Sequence, residues 1–161
     1  MILRRPSQTD KEAILEMMAE FEREQSAHDG GFWNPDNFVY EDIQAEAGLN
    51  IPENWVPAIQ LVSFDEADYA LGFLNLRLRL NDYLLEKGGH IGYSIRPSER
   101  GKGYAKESLR QGLQVAKEKN IHRALVTCSI KNPVSRAVIL ANGGQLENIR
   151  HETERYWIDL E

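Results

Sequence analysis

The chain has 161 residues, 42% hydrophobic and 27% charged, with a formal net charge of −6. That describes one globular domain, residues 1–161, able to bury a core without metal or disulfide staples. The negative charge excludes a general nucleic-acid footprint, and no apolar run approaches the ~20 residues that span a bilayer, so neither nucleic acid nor membrane is an expected partner.

Met1 to Arg5 predicts a first strand, broken by Pro6-Ser7. Asp10 opens a helix in which Ala13, Ile14, Met17, Met18 and Phe21 share one buried face. Ser26 to Asn37, with Gly30-Gly31 and Pro35, predicts a loop, and Phe38 to Ala47 a second helix. The period then changes. Pro57 to Phe64 predicts a strand and Asp65 to Asp68 a hairpin turn. Leu74, Leu76, Leu78 and Leu80 alternate with Asn75, Arg77 and Arg79, the pattern of a half-buried strand. Asn81 to Lys87 leaves the sheet, and Gly88-Gly89 turns into a strand at His90 to Arg96.

After Pro97-Ser98-Glu99 comes a glycine-bearing turn, then a helix striped by Ala105, Leu109, Gly112, Leu113 and Ala116. Ala124 to Cys128 is a short strand, and Asn132-Pro133 opens a last helix that ends at Gly143-Gly144. Two strands remain, Gln145 to Ile149 and Arg155 to Leu160. The order predicts a single α/β domain with a mixed, largely antiparallel sheet flanked by helices.

One turn carries chemistry. Gly101 and Gly103 sit between a strand and a helix start, with Arg100, Lys102 and Lys106 around them. A helix N-terminus offers unpaired N–H groups and partial positive charge, and glycines let backbone approach an anion closely. This is a diphosphate site. It is neither a P-loop, whose spacing is absent, nor a dinucleotide fingerprint, because Lys106 stands where the third glycine would be.

The segment Arg100-Gly101-Lys102-Gly103-Tyr104-Ala105 fits R-x-x-G-x-[GA], and here the chain resembles the GNAT superfamily of N-acetyltransferases. The resemblance covers the element order of nearly the whole chain. It implies that this loop, with Lys106, binds the pyrophosphate of acetyl-CoA, the acyl-donor cosubstrate. It further implies that the strand holding Tyr93, Ser94 and Ile95 pairs its backbone with the pantetheine arm. Asn132-Pro133-Val134-Ser135 looks like the family's N-x-x-[SA], so Asn132 and Ser135 are implied cofactor contacts. The segments Leu80 to Leu84, Gly88 to Tyr93 and Arg155 to Ile158 look like a bacterial subgroup without an assigned substrate.

The implied reaction is direct attack of an amine on the thioester within a ternary complex, with the acceptor a small-molecule, amino-acid or peptide amine. A backbone N–H near Ser94 and Ile95 is the candidate donor to the thioester carbonyl. Many relatives place a tyrosine acid seven residues after the asparagine; here that position is Ile139, with no proton to give. His90 is a candidate base, or else a hydrogen-bonded strand histidine. Tyr83, beside Asp82, is a candidate acid or an exposed loop tip. Glu20, Glu22, Glu24 and Asp29 either draw an amine or form a solvated helix face.

Cys128, the only cysteine, ends an apolar strand and reads as packing rather than as a nucleophile. It forms no intrachain disulfide, and the apolar start Met1-Ile2-Leu3 precedes its charges, the reverse of a secretory signal; a cytoplasmic location is expected. No metal site is expected. Exposed strand edges allow a homodimer. The rival to an enzyme is an acyl-CoA-binding sensor with weak or no turnover, which Ile139 keeps open.

Overall fold

The structure, a computed structural model, describes residues 1–28 and 36–161. Gly30-Gly31, Pro35 and Asp29 lie outside the described residues. The elements are β1 (Ile2–Arg4), α1 (Lys11–Arg23), α2 (Phe38–Glu46), β2 (Ala58–Phe64), β3 (Ala70–Arg77), α3 (Asp82–Glu86) and β4 (Ile91–Ile95). They continue with α4 (Tyr104–Glu118), β5 (Arg123–Ser129), α5 (Pro133–Ala141), β6 (Gln145–Arg150) and β7 (Thr153–Asp159).

The fold is the α/β, largely antiparallel and helix-flanked one that the sequence predicts, with its strands divided into two antiparallel sheets, β1-β2-β3-β4 and β5-β7-β6. Both outer faces of the first sheet are covered. Ile14, Met17 and Phe21 of α1 pack with Val62, Phe64 and Phe73 on one face. Leu109, Leu113 and Ala116 of α4 pack with Leu74, Leu76 and Ile91 on the other. The period-two alternation of β3 thus sends Phe73 to α1 and Leu74 to α4. Gly112 lets α4 come close, since a Cβ there would meet Leu74 Cδ1 at 2.7 Å.

Two elements differ from the sequence reading. β3 starts at Ala70 rather than at Leu74, because Ala70 to Leu74 are buried on both faces and show no alternation. It ends at Arg77, so Leu78 and Leu80 lie past it, half-buried. Asn81 to Lys87 contains a short helix, capped where Asn81 Oδ1 accepts from the Leu84 N–H at 2.9 Å. Among the described residues no helix is long and apolar enough to cross a membrane.

Candidate active site

The two sheets part between β4 and β5. His90 is the branch point: its carbonyl accepts from the Arg77 N–H of the first sheet at 2.7 Å, and its N–H donates to the Leu125 carbonyl of the second at 2.8 Å. The Leu125 N–H returns a bond to His90 Nδ1 at 2.9 Å. Gly89 makes this approach feasible, since a Cβ there would lie 2.3 Å from the Leu125 oxygen. Beyond His90 no ladder joins β4 to β5 among the described residues, and a fork opens toward the C-terminal end of β4.

Register decides what lines the fork. Arg77 bonds His90 and the Arg96 N–H donates to Leu71 O at 2.9 Å, with unbroken pairing between. In an antiparallel ladder the residues between alternate, so the backbone groups of Gly92 and Ser94 face β3 while those of Ile91, Tyr93 and Ile95 face the fork. The Ser94 backbone groups are thus turned to β3, and those of Tyr93 and Ile95 to the fork. The Ile95 carbonyl accepts from Arg100 Nε at 2.9 Å, and Tyr93 lies at the middle of the fork edge by register.

At the mouth of the fork lies the glycine turn. Gly101 and Gly103 have φ of +80° and +87°, and a Cβ on either would meet nothing within 4 Å. Gly103 is the N-cap of α4, with no side-chain cap on that helix start. The first N–H groups of α4, at Tyr104, Ala105 and Lys106, thus point at an open space suited to an anion. Lys106 is exposed, and Lys102 Nζ lies 2.7 Å from Glu99. Arg100 is exposed, and its second contact, Ser26 Oγ at 2.8 Å, ties the turn to the segment after α1.

What holds the turn in place was not expected from sequence. Arg96, 1% exposed, donates to Glu20 at 3.0 and 2.7 Å, to Glu16, and to the Ala70 carbonyl at 2.9 Å. Glu20 also accepts from the Ser98 N–H and hydroxyl, both at 2.8 Å. Burial pushes the Glu20 carboxyl up, but the Arg96 and Ser98 bonds outweigh it and hold the group down at about 2. Glu20 is therefore neither a lure for an amine nor a solvated helix face. Glu22 and Glu24 are exposed.

Across the fork, Asn132 Oδ1 caps α5 by accepting from the Ser135 N–H at 3.1 Å. The Tyr93 and Ser135 hydroxyls lie 2.8 Å apart, joining β4 to the first turn of α5. Ile139 is fully buried in the core, where a Cβ on Gly144 would meet it at 2.5 Å. On the opposite face of the first sheet Phe21, His28 and Phe73 form a trio of rings with centroids 5.5 Å apart. Phe73 pairs with Ser94, so that trio stands beside the fork on its α1 side.

The remaining sequence candidates sit elsewhere. The His90 ring is 7% exposed; its burial, with the nearby Arg77 charge, lowers its pKa to about 4. A base near neutral pH needs a lone pair and an affinity for the proton, and here the lone pair is committed to Leu125. Tyr83 is 67% exposed on α3, at the end of the sheet where β4 begins, away from the glycine turn that follows β4. Cys128 is buried, with burial and neighbouring Glu154 pushing its thiol up to about 11. No cluster of metal-binding side chains occurs among the described residues.

A forked pair of sheets, with an uncapped helix start at the fork's mouth, defines an acyltransferase architecture. The GNAT acetyltransferase domain matches residues 1–145, and the chain belongs to that family. No curated protein matches the sequence. Among solved structures, the chain resembles the Vibrio cholerae spermidine N-acetyltransferase in complex with CoA and spermine, at 16% identity over 99% of this chain and 95% of that one, TM-score 0.66. It also resembles a Salmonella typhimurium protein classed as an acetyltransferase and solved with its cofactor acetyl-CoA, at 15% identity over 99% and 94%, TM-score 0.64.

Proposed function

We propose that this protein is an acetyl-CoA-dependent N-acetyltransferase that moves an acetyl group to a primary amine of a small molecule, amino acid or peptide. The observation that carries the reading is the α4 start, uncapped and open at Gly101 and Gly103, standing at the mouth of the β4–β5 fork. A diphosphate seated there sends its pantetheine arm into the fork, along the inward backbone groups of Ile95, Tyr93 and Ile91. The thioester carbonyl then meets the Tyr93 N–H, and Asn132 and Ser135 flank the arm from α5. The amine enters from the α1 side, beside Phe73 and His28, and attacks in a ternary complex.

In this reading His90 is the hinge that closes the fork, and no imidazole base is required of it. A neutral amine supplies the nucleophile, and the thiol, with an ordinary pKa of ~8.5, is a fair leaving group. A sensor without turnover is the second reading, favoured by one fact: Ile139, at the position where the family resemblance implies a tyrosine acid in many members, is buried in the core. Calorimetry with CoA, followed by thiol release from acetyl-CoA across polyamines, amino acids and peptide amines, separates the two. Tight CoA binding with amine-dependent thiol release is expected. Binding with no release from any amine favours the sensor, and no binding overturns both.

A further inference from the structure

We propose that the Tyr93 phenol is the proton donor to the departing coenzyme A sulfur, with Ser135 as its hydrogen-bonded relay. The inference rests on the acetyl-CoA reading above and adds a catalytic group to it. Tyr93 reaches the fork twice. Its backbone edge faces the gap by register, and its side chain crosses the gap to Ser135 at 2.8 Å. The residue packs, partly buried, against the core cluster that α4 and α5 share with Leu74 and Ile91.

The side on which the phenol lies decides the assignment. A pantetheine arm rooted at the α4 start enters from the α4–α5 side, so the sulfur lies on that side of the thioester carbon. The amine must come from the other. Strand alternation puts the Tyr93 ring on the sulfur's side and Ser94 on the amine's side. A carbonyl held at the Tyr93 N–H therefore places its sulfur beside the phenol of the same residue.

The step balances. The amine lone pair forms the C–N bond, and collapse of the tetrahedral intermediate breaks C–S. The sulfur keeps that electron pair and takes the phenolic proton, giving the free thiol. The new amide nitrogen releases one proton to water, and the phenolate recovers one from water through the Ser135 hydroxyl. The Tyr93 and Ser135 hydroxyls are already in contact, so this relay needs no rearrangement of the chain.

The test needs no acceptor. Bound CoA is titrated by the ultraviolet absorbance of its thiolate in wild type, Tyr93→Phe and Ser135→Ala. A phenol donating to sulfur favours the thiolate, so the wild-type complex should titrate about one pH unit below Tyr93→Phe, a tenfold change in the thiolate-to-thiol ratio. CoA affinity should stay within about twofold, because the ring is kept. Ser135→Ala, at a half-buried helix-start position, should titrate like wild type. Identical titration of wild type and Tyr93→Phe overturns the assignment. So does a Ser135→Ala complex that alone loses the shift, which would give the proton to Ser135. Wild-type protein that fails to bind CoA removes the cofactor reading itself, whereas normal binding with an unshifted thiol removes only Tyr93.

Discussion

Replacing His90 tests whether the fork is closed by a structural histidine. Two substitutions separate its duties. In His90→Asn the side-chain oxygen takes the place of Nδ1 and still accepts from the Leu125 N–H, but nothing titrates. In His90→Ala the Leu125 N–H is left buried without its acceptor, at a cost of about 1–3 kcal/mol, and the lost ring adds a cavity. The magnitude for the proton follows from the shift. The folded-state pKa, about 4, lies below the ordinary 6.5, so between those values the unfolded chain binds the proton and the folded chain does not. Stability from neutral His90 is thus fully present above pH 6.5 and is lost as pH falls toward 4. At 1.36 kcal/mol per pH unit the loss approaches about 3 kcal/mol.

The assay is urea unfolding at several values between pH 7.5 and pH 4.5, compared between wild type and His90→Asn. The other histidines are common to both proteins, and Glu20 titrates near 2, below the window. The difference between the two curves therefore isolates His90. Wild type should lose stability faster than the Asn variant as pH falls, by about 2 kcal/mol at the acid end of the range, while acetyl-CoA-dependent turnover survives in His90→Asn. Parallel stability curves would refute the buried-hinge reasoning. Loss of turnover in a stably folded Asn variant would return His90 to the role of base.

Three further outcomes follow from the same geometry. Gly103→Tyr should weaken CoA at least tenfold with only about 1–2 kcal/mol lost from stability, because the φ of +87° strains any side chain while the ring fills only open anion space; unchanged affinity by calorimetry would move the diphosphate elsewhere. Arg96→Met leaves the Glu20 carboxylate buried without its cation and should cost about 3–5 kcal/mol in urea unfolding, part of it recovered by adding Glu20→Gln; a loss below 1 kcal/mol would show that the pair does not hold the turn. Cys128 should resist iodoacetamide in the native protein at pH 8 and react after unfolding, and Cys128→Ala should keep its activity; rapid native labelling would contradict its burial.

How much of this was legible depended on how far apart the partners lie. The stripes of α1 and α4, the glycine turn and the Asn132 cap are local patterns, and each sits where the sequence places it. The start of β3 was hidden because burial on both faces erases alternation, and α3 because five residues are too few to show a helical period. The ring of His90 and its acceptor duty to Leu125 are separated by 35 positions, and Glu20 and Arg96 by 76. Such pairings are chosen by the packed sheets and not by neighbours in the chain. A hint did exist. Glu16 and Glu20 lie one helical turn apart, so one face of α1 offers two carboxylates, and the arginine that meets them directly follows β4.

In the proposed mechanism the chain does without a tyrosine at position 139. Ser135 and Ile139 are one turn apart on α5 and share a face, so a change at one is felt at the other. Here the deeper position is given to the core, where Ile139 is pressed against Gly144 and no hydroxyl could be hydrated. The shallower position carries a hydroxyl, and that hydroxyl is met from across the fork by the phenol of Tyr93. In the proposed mechanism, a polar contact that a helix tyrosine would make from α5 is made instead from β4, by the strand whose inward backbone edge would face the thioester. On the proposed assignment, a phenol on that strand ties carbonyl polarisation and sulfur protonation to one residue. On that assignment a shift of β4 alters both together, and the fork closes at His90 about 10 Å by strand rise from Tyr93 (three residues at about 3.3 Å each).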